Sequence, residues 1–333
     1  MNPKFVKALQ FVFFLLIGLV LLYFAFRGID LNELMLQIKQ ADYRWVALSL
    51  VFAILALVFR SIRWRLLIEP LDKYPKLTNI FHAINIGYLA NFVFPRIGEI
   101  TRCGILNRTD QVPAGKLFGT VIVERIFDML MCVFMLCIIL LLQFDVVGNF
   151  IMEHIMQPLM NRMPEMAGFS WLISITVLVI LAFVVCFRIY KKKLQKVTIF
   201  RKIRIMMRSI LRGIQSARQI RNFGWFVILN FLVFGMYLLQ TYVMFFSLGS
   251  TSSLGLVDAL FVLVISSLAL IIPVQGGIGA YHWIISMGLT IFGLTREEGM
   301  VYATISHSVT AILFILLGAV ALIWVFYATK KNF

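Results

Sequence analysis

Six apolar runs dominate this chain, at about 8–26, 45–62, 119–142, 170–187, 223–247 and 300–327. Each is long enough to cross a hydrocarbon core of about 30 Å as a helix, which satisfies its own backbone where no water can. Of the 333 residues 61% are hydrophobic and 14% charged, too few polar groups to cover a soluble domain of this length. No succession of alternating segments about ten residues long is present, which argues against a barrel. The expected fold is an all-α polytopic integral membrane protein.

Two further apolar regions, 80–108 and 257–293, are interrupted. Their straight pieces of about fifteen or sixteen residues reach roughly 22–24 Å, short of a full crossing. They read either as re-entrant segments beside six full spans, or, for 257–272 with 278–293, as a hairpin of short spans that brings the total to eight. Both versions return the chain to its side of entry.

Charge placement orients these segments. With both termini in the cytoplasm, most of the 31 Lys and Arg fall on the cytoplasmic side, as the positive-inside rule requires. Only Arg27, Lys39, Arg44, Arg162 and Arg296 lie outside, and Arg125 lies within a span. The N-terminal run resembles a signal peptide, but Phe24, Phe26 and Arg27 spoil a small-residue cleavage site, so it reads as a retained first span. The net charge of +16 sits in inter-helix blocks, which suits acidic headgroups and not nucleic acid.

The same topology yields a symmetry within one domain, 1–333. The halves at about 45–142 and 223–327 run in opposite senses, each with an interrupted region between two spans, and so form an inverted repeat. The breaks correspond, "LANFVFPRIGE" (Leu89–Glu99) against "LALIIPVQGGIG" (Leu268–Gly279). Paired interrupted helices of this kind point to a transporter's substrate site. The halves are joined by a basic amphipathic segment, 188–222, read as a helix on the inner leaflet or as a solvated topology anchor.

Ionisable groups in the hydrocarbon region cost about 2.5–3.5 kcal/mol each, so they line cavities or pair. Arg60, Arg63 and Arg65 end the second span, either snorkelling as anchors or collecting a lipid phosphate. In the first break Pro95 frees backbone groups, Asn91 can hydrogen-bond them, and Arg96 and Arg102 supply phosphate donors. Gly98 follows the proline, and Glu99 can pair with either arginine or with a cationic headgroup. Within the third span Glu124 and Asp128 share a face with Arg125 in reach, as a salt-bridge network or a substrate or proton site. Their excess negative charge needs a proton or an arginine from elsewhere, with Arg63, Arg96 and Arg102 the candidates. The second break is almost uncharged: Pro273, then Gly276, Gly277 and Gly279 for close backbone approach, with Gln275, Tyr281 and His282 as polar contacts. His282 reads as a hydrogen-bonded interior histidine. His82, His154 and His307 lack metal spacing, and Cys103, Cys132, Cys137 and Cys186 suggest neither disulfides nor zinc. No nucleotide-binding, HExxH or GxSxG pattern occurs, and no cofactor is expected.

Taken in order, "RSIRWRLLIEPL", "GYLANFVFPRIGEITRCGIL", "ERIFD" and "PVQGGIGAYH" resemble the lysylphosphatidylglycerol synthase transmembrane family, also called flippase-like or UPF0104. The resemblance covers about residues 8–327. Its signatures fall on Pro95, Gly98, Glu99 and Arg102, on Glu124, Arg125 and Asp128, and on Pro273, Gly276, Gly277 and Gly279. It implies the lipid-handling half of those synthases. The chain ends at Phe333, six residues beyond its last span, so the cytosolic aminoacyl-transferase half is not expected.

The expected function is therefore lipid translocation or lipid-headgroup binding in a bacterial inner membrane, with an anionic phospholipid or lipid-linked phosphate as substrate. An intramembrane lipid-modifying transferase and a non-catalytic envelope-assembly partner are the alternatives, and the balance leans away from an enzyme. Expected partners are membrane phospholipids, with homo-oligomers compatible.

Overall fold

A computed structural model describes residues 3–143, 220–269 and 272–330. The expected span at 170–187, most of the basic segment 188–222, His154, Arg162 and Cys186 lie outside them. The described residues form ten α-helices and no strands. They are α1 (Pro3–Phe26), α2 (Leu31–Gln40), α3 (Tyr43–Ile68), α4 (Leu77–Val93), α5 (Gly98–Asp110) and α6 (Ala114–Leu142). After these come α7 (Phe223–Phe245), α8 (Leu256–Ala269), α9 (Ala280–Leu289) and α10 (Arg296–Lys330).

Four of these helices, α3, α6, α7 and α10, are long and apolar enough to cross a membrane. They match expected runs, and α1 covers the expected first one. Much of their apolar surface faces outward: Leu142, Leu316 and Val320 are all more than half exposed. In water such a surface would aggregate, whereas in lipid it is the solvated face.

Sequence reading left 27–44 without an element, but α2 occupies most of it. Asp30 caps α2 by accepting from Asn32 N at 2.8 Å, and Gly28, at φ 83°, lets the chain turn between α1 and α2. The bend is 88°, so the pair is either one broken span or a return loop.

Both interrupted regions break where expected. Phe94, ahead of Pro95, is extended (φ −133°, ψ 130°), as the proline ring demands of its predecessor, and α5 starts only at Gly98. At 17 and 13 residues, α4 and α5 rise about 26 and 20 Å. The second region holds α8, with 14 residues, a 3-10 turn over Gln275–Gly277, and α9, with 10. Of these, α9 is shorter than the sequence reading allowed. Successive residues Ala259 to Val264 of α8 are all buried, so the middle of this helix is enclosed by protein, while Leu256 and Leu268 near its ends are exposed.

Glycines set the closest approaches. α4 and α5 fold back on each other through Gly87 and Gly98, where a Cβ on Gly98 would overlap the Gly87 carbonyl oxygen. A Cβ on Gly276 would likewise overlap the ring of Phe92, one turn before the first break. The two breaks therefore touch each other, and α1 closes over the second one, with a Cβ on Gly279 falling 2.6 Å from Gly18 O.

Candidate functional site

Charged side chains from three helices converge at one place. α3 supplies Arg60 and Arg63, one turn apart; α5 supplies Arg102; α6 supplies Glu124 and Asp128, also one turn apart. Arg60, Arg63, Arg102 and Glu124 are all buried, with Glu124 and Arg63 wholly so.

Glu124 is the hub. Its Oε1 lies 2.9 Å from Arg60 Nη2 and 3.1 Å from Arg63 Nη2, and its Oε2 lies 2.8 Å from Arg102 Nη2. The last contact is close but poorly angled, so Arg102 Nη2 and Glu124 Oε2 form an ion pair without a hydrogen bond. Asp128 Oδ1 pairs with the same Arg63 Nη2 at 2.8 Å. Arg125, nearly half exposed, bridges Asp128 at 3.4 Å and Glu99 at 2.7 Å, and so ties α6 to α5.

Neutral groups hold the arginines in place. Arg60 Nη1 donates to Tyr88 Oη at 2.8 Å, and Arg63 Nη1 donates to Asn230 Oδ1 on α7. The Arg102 guanidinium lies 4.5 Å over the Trp64 ring, whose N–H donates to Thr120 Oγ1 at 3.0 Å. Asn91 Oδ1 accepts from Gly98 N at 2.8 Å, capping the freed backbone at the break as its position in the sequence suggests.

The excess negative charge expected at Glu124 and Asp128 is thus met by Arg60, Arg63 and Arg102. Arg96, the other candidate, has an exposed side chain at the break and a left-handed backbone, φ 61°. Pro95 lies beside it, half-buried. Arg60 and Arg63 are enclosed, whereas Arg65 is partly exposed and paired with Glu69 at 3.4 Å. Across Arg60, Arg63, Arg102 and Arg125 against Glu99, Glu124 and Asp128, the cluster holds one more positive charge than negative.

A cavity of about 20 Å³ opens beside these charges, lined by Arg60, Tyr88, Asn91, Glu99, Arg102 and Arg125. That is room for about one water. The Nε atoms of Arg60, Arg63 and Arg102 and the Oε2 of Glu99 are buried without hydrogen-bond partners among the described residues.

The second break forms a separate, uncharged cluster. Pro273 leads into the Gln275–Gly277 turn, in which Gln275 is buried and Gly276, Gly277 and Gly279 all have positive φ. His307 on α10 meets Gly276 O at 2.9 Å; since a carbonyl only accepts, His307 Nε2 carries the proton. The His282 ring packs 4.8 Å from that of His307, and Tyr281 Oη lies 3.2 Å from Ser306 Oγ. His282 is interior, as expected, but its Nδ1 has no hydrogen-bond partner among the described residues. These groups do not join the arginine cluster. Phe92 of α4, packed on Gly276, is a contact between the two breaks.

Sequence reasoning missed Trp64, Tyr88, Asn230 and His307 as members of these clusters. Asn230, one of two amide side chains with Gln240 inside the apolar run 223–247, was visible as a polar group needing a partner. The aromatic residues carried no such signal.

Comparison with known proteins places these residues in a wider group. The family described as the lysylphosphatidylglycerol synthase TM region matches residues 11–318. A UPF0104 membrane protein, MJ1595 of Methanocaldococcus jannaschii, is 23% identical over 315 residues, covering 89% of each chain. Glycosyltransferase AglD of Haloferax volcanii is 28% identical over 130 residues, which make up 39% of this chain and 21% of that protein. No solved structure matches.

Proposed function

Because the chain belongs to the lysylphosphatidylglycerol synthase TM region family, we propose that it binds and translocates a membrane lipid, with the arginine cluster taking the lipid's phosphate. The substrate is an anionic phospholipid or a lipid-linked phosphate of a bacterial inner membrane, and both termini face the cytoplasm. The observation that carries this reading is the buried set of Arg60, Arg63 and Arg102 around Glu124, with its surplus positive charge.

Desolvating so many charges for stability alone is poor economy, because an apolar replacement of a buried ion pair is often as stable. A polar site that must admit and release an anion has another reason to keep them. In the closed arrangement the carboxylates occupy the arginines and the cavity holds little more than a water. A phosphate would compete with Glu124 and Asp128 for Arg60 and Arg102, and its arrival requires α5 to move from α3 and α6. The irregular backbone at 94–97 is the hinge for that motion, and the contact of Phe92, just ahead of it, with Gly276 couples the two halves of the expected inverted repeat.

The test is retention of phosphatidylglycerol by the purified protein in native mass spectrometry. Wild type should hold it, and an Arg60→Gln, Arg102→Gln double variant that still melts cooperatively should lose it. Retention by that variant would count decisively against the proposal.

A further inference from the structure

An apolar groove of about 350 Å³ runs between the N-terminal half of α3 and the middle of α10. Its walls are Val46, Ala47 and Leu50 on one side and Val309, Leu313 and Leu316 on the other, with Tyr43 at one end. Both helices are membrane-spanning in length and composition, so an apolar occupant suits the groove.

One stack of rings lies between the groove's wall and the arginine cluster. Phe314, the neighbour of Leu313, stacks on Tyr88 with centroids 4.3 Å apart and planes 12° from parallel. The other partner of Tyr88 is Arg60, which donates to its hydroxyl at 2.8 Å and lies 5.6 Å from the ring centre. Distance along α3 agrees. Leu50 precedes Arg60 by ten residues, about 15 Å of helix. One leaflet of hydrocarbon is also about 15 Å, half of a 30 Å core.

From this alignment we propose that the groove holds the far end of one hydrocarbon chain of the same lipid whose phosphate engages Arg60 and Arg102. The inference rests on the function proposed above and adds that the protein recognises tail as well as headgroup. Since lipid tails are as apolar as leucine, the groove gains by shape and not by hydrophobicity. A chain that stops short of Leu50 leaves it unfilled.

The experiment compares two phosphatidylglycerols on the full-length protein in nanodiscs, one with sixteen-carbon chains and one with six-carbon chains, on wild type and Ala47→Trp. The indole fills the groove without touching the arginines. Expected is a several-fold weaker binding of the long-chain lipid by Ala47→Trp, with short-chain binding and melting temperature unchanged. Equal binding of the long-chain lipid by both proteins overturns the groove while leaving the phosphate site standing. Failure of wild type to bind either lipid removes the function on which the inference depends. A second measurement guards against bulk lipid in the groove. A phosphatidylglycerol with a diazirine at its chain end should label residues 43–50 or 309–316 several-fold more than diacylglycerol carrying the same chain. Equal labelling by the two probes, or labelling confined to 144–219, contradicts the proposal.

Discussion

Arg102 lays its guanidinium 4.5 Å over the Trp64 ring, on the helix that also carries Arg60 and Arg63. A desolvated cation over an indole gains about 2 kcal/mol, and the ring fixes where Arg102 points. Trp64→Leu should therefore destabilise the protein by about 3 kcal/mol or more, combining this loss with that of a buried ring. Trp64→Phe keeps an aromatic face and gives up the indole bond to Thr120, so its loss should be distinctly smaller. Thermal unfolding in detergent measures both, and equal losses would show that the ring only fills space.

Glu124 takes three arginines at distances of 2.8 to 3.1 Å and is fully buried. Removing its charge leaves those arginines with too few acceptors, at a cost of about 3–5 kcal/mol for Glu124→Gln. Adding Arg102→Gln removes part of the uncompensated charge. The double variant should then be more stable than the sum of the singles by about 0.5–3 kcal/mol in a double-mutant cycle. Strict additivity would mean that Arg102 and Glu124 do not act together.

Gly276 has φ 58° and lies under Phe92. Gly276→Ala should destabilise twice over, through steric overlap and through roughly 1–2 kcal/mol of left-handed backbone strain. Phe92→Ala placed on top should relieve the overlap but not the strain. Partial recovery of the melting temperature is the expected result, and the absence of any recovery would contradict the contact between the two breaks.

Much of this architecture was legible because lipid imposes long apolar runs and makes each buried charge conspicuous. Glu124 and Asp128 stood out on that ground, and Pro95 with Asn91 marked the first break. Arg60 was ambiguous: a basic residue near a span's end can be exposed or enclosed, and only Glu124 and Tyr88, brought in by other helices, show that this one is buried and paired. Trp64 and Tyr88 look like ordinary core aromatics until the arginines they hold are located. α2 escaped notice because its ten residues mix polar and apolar side chains as loops do, although Asp30 followed by Glu33 resembles a helix-start signal. The meeting of Phe92 with Gly276 joins residues 184 positions apart and leaves no local trace.

The central claim concerns what the arginines are for, and transport measures it most directly. The protein, reconstituted into liposomes, should speed the exchange of fluorescent phosphatidylglycerol between leaflets, as read by dithionite quenching. Losing one charge-assisted phosphate contact of about 1.5–3 kcal/mol should slow that exchange about tenfold or more in Arg102→Ala, checked for folding by its melt. Exchange by folded Arg102→Ala at the wild-type rate would contradict the account.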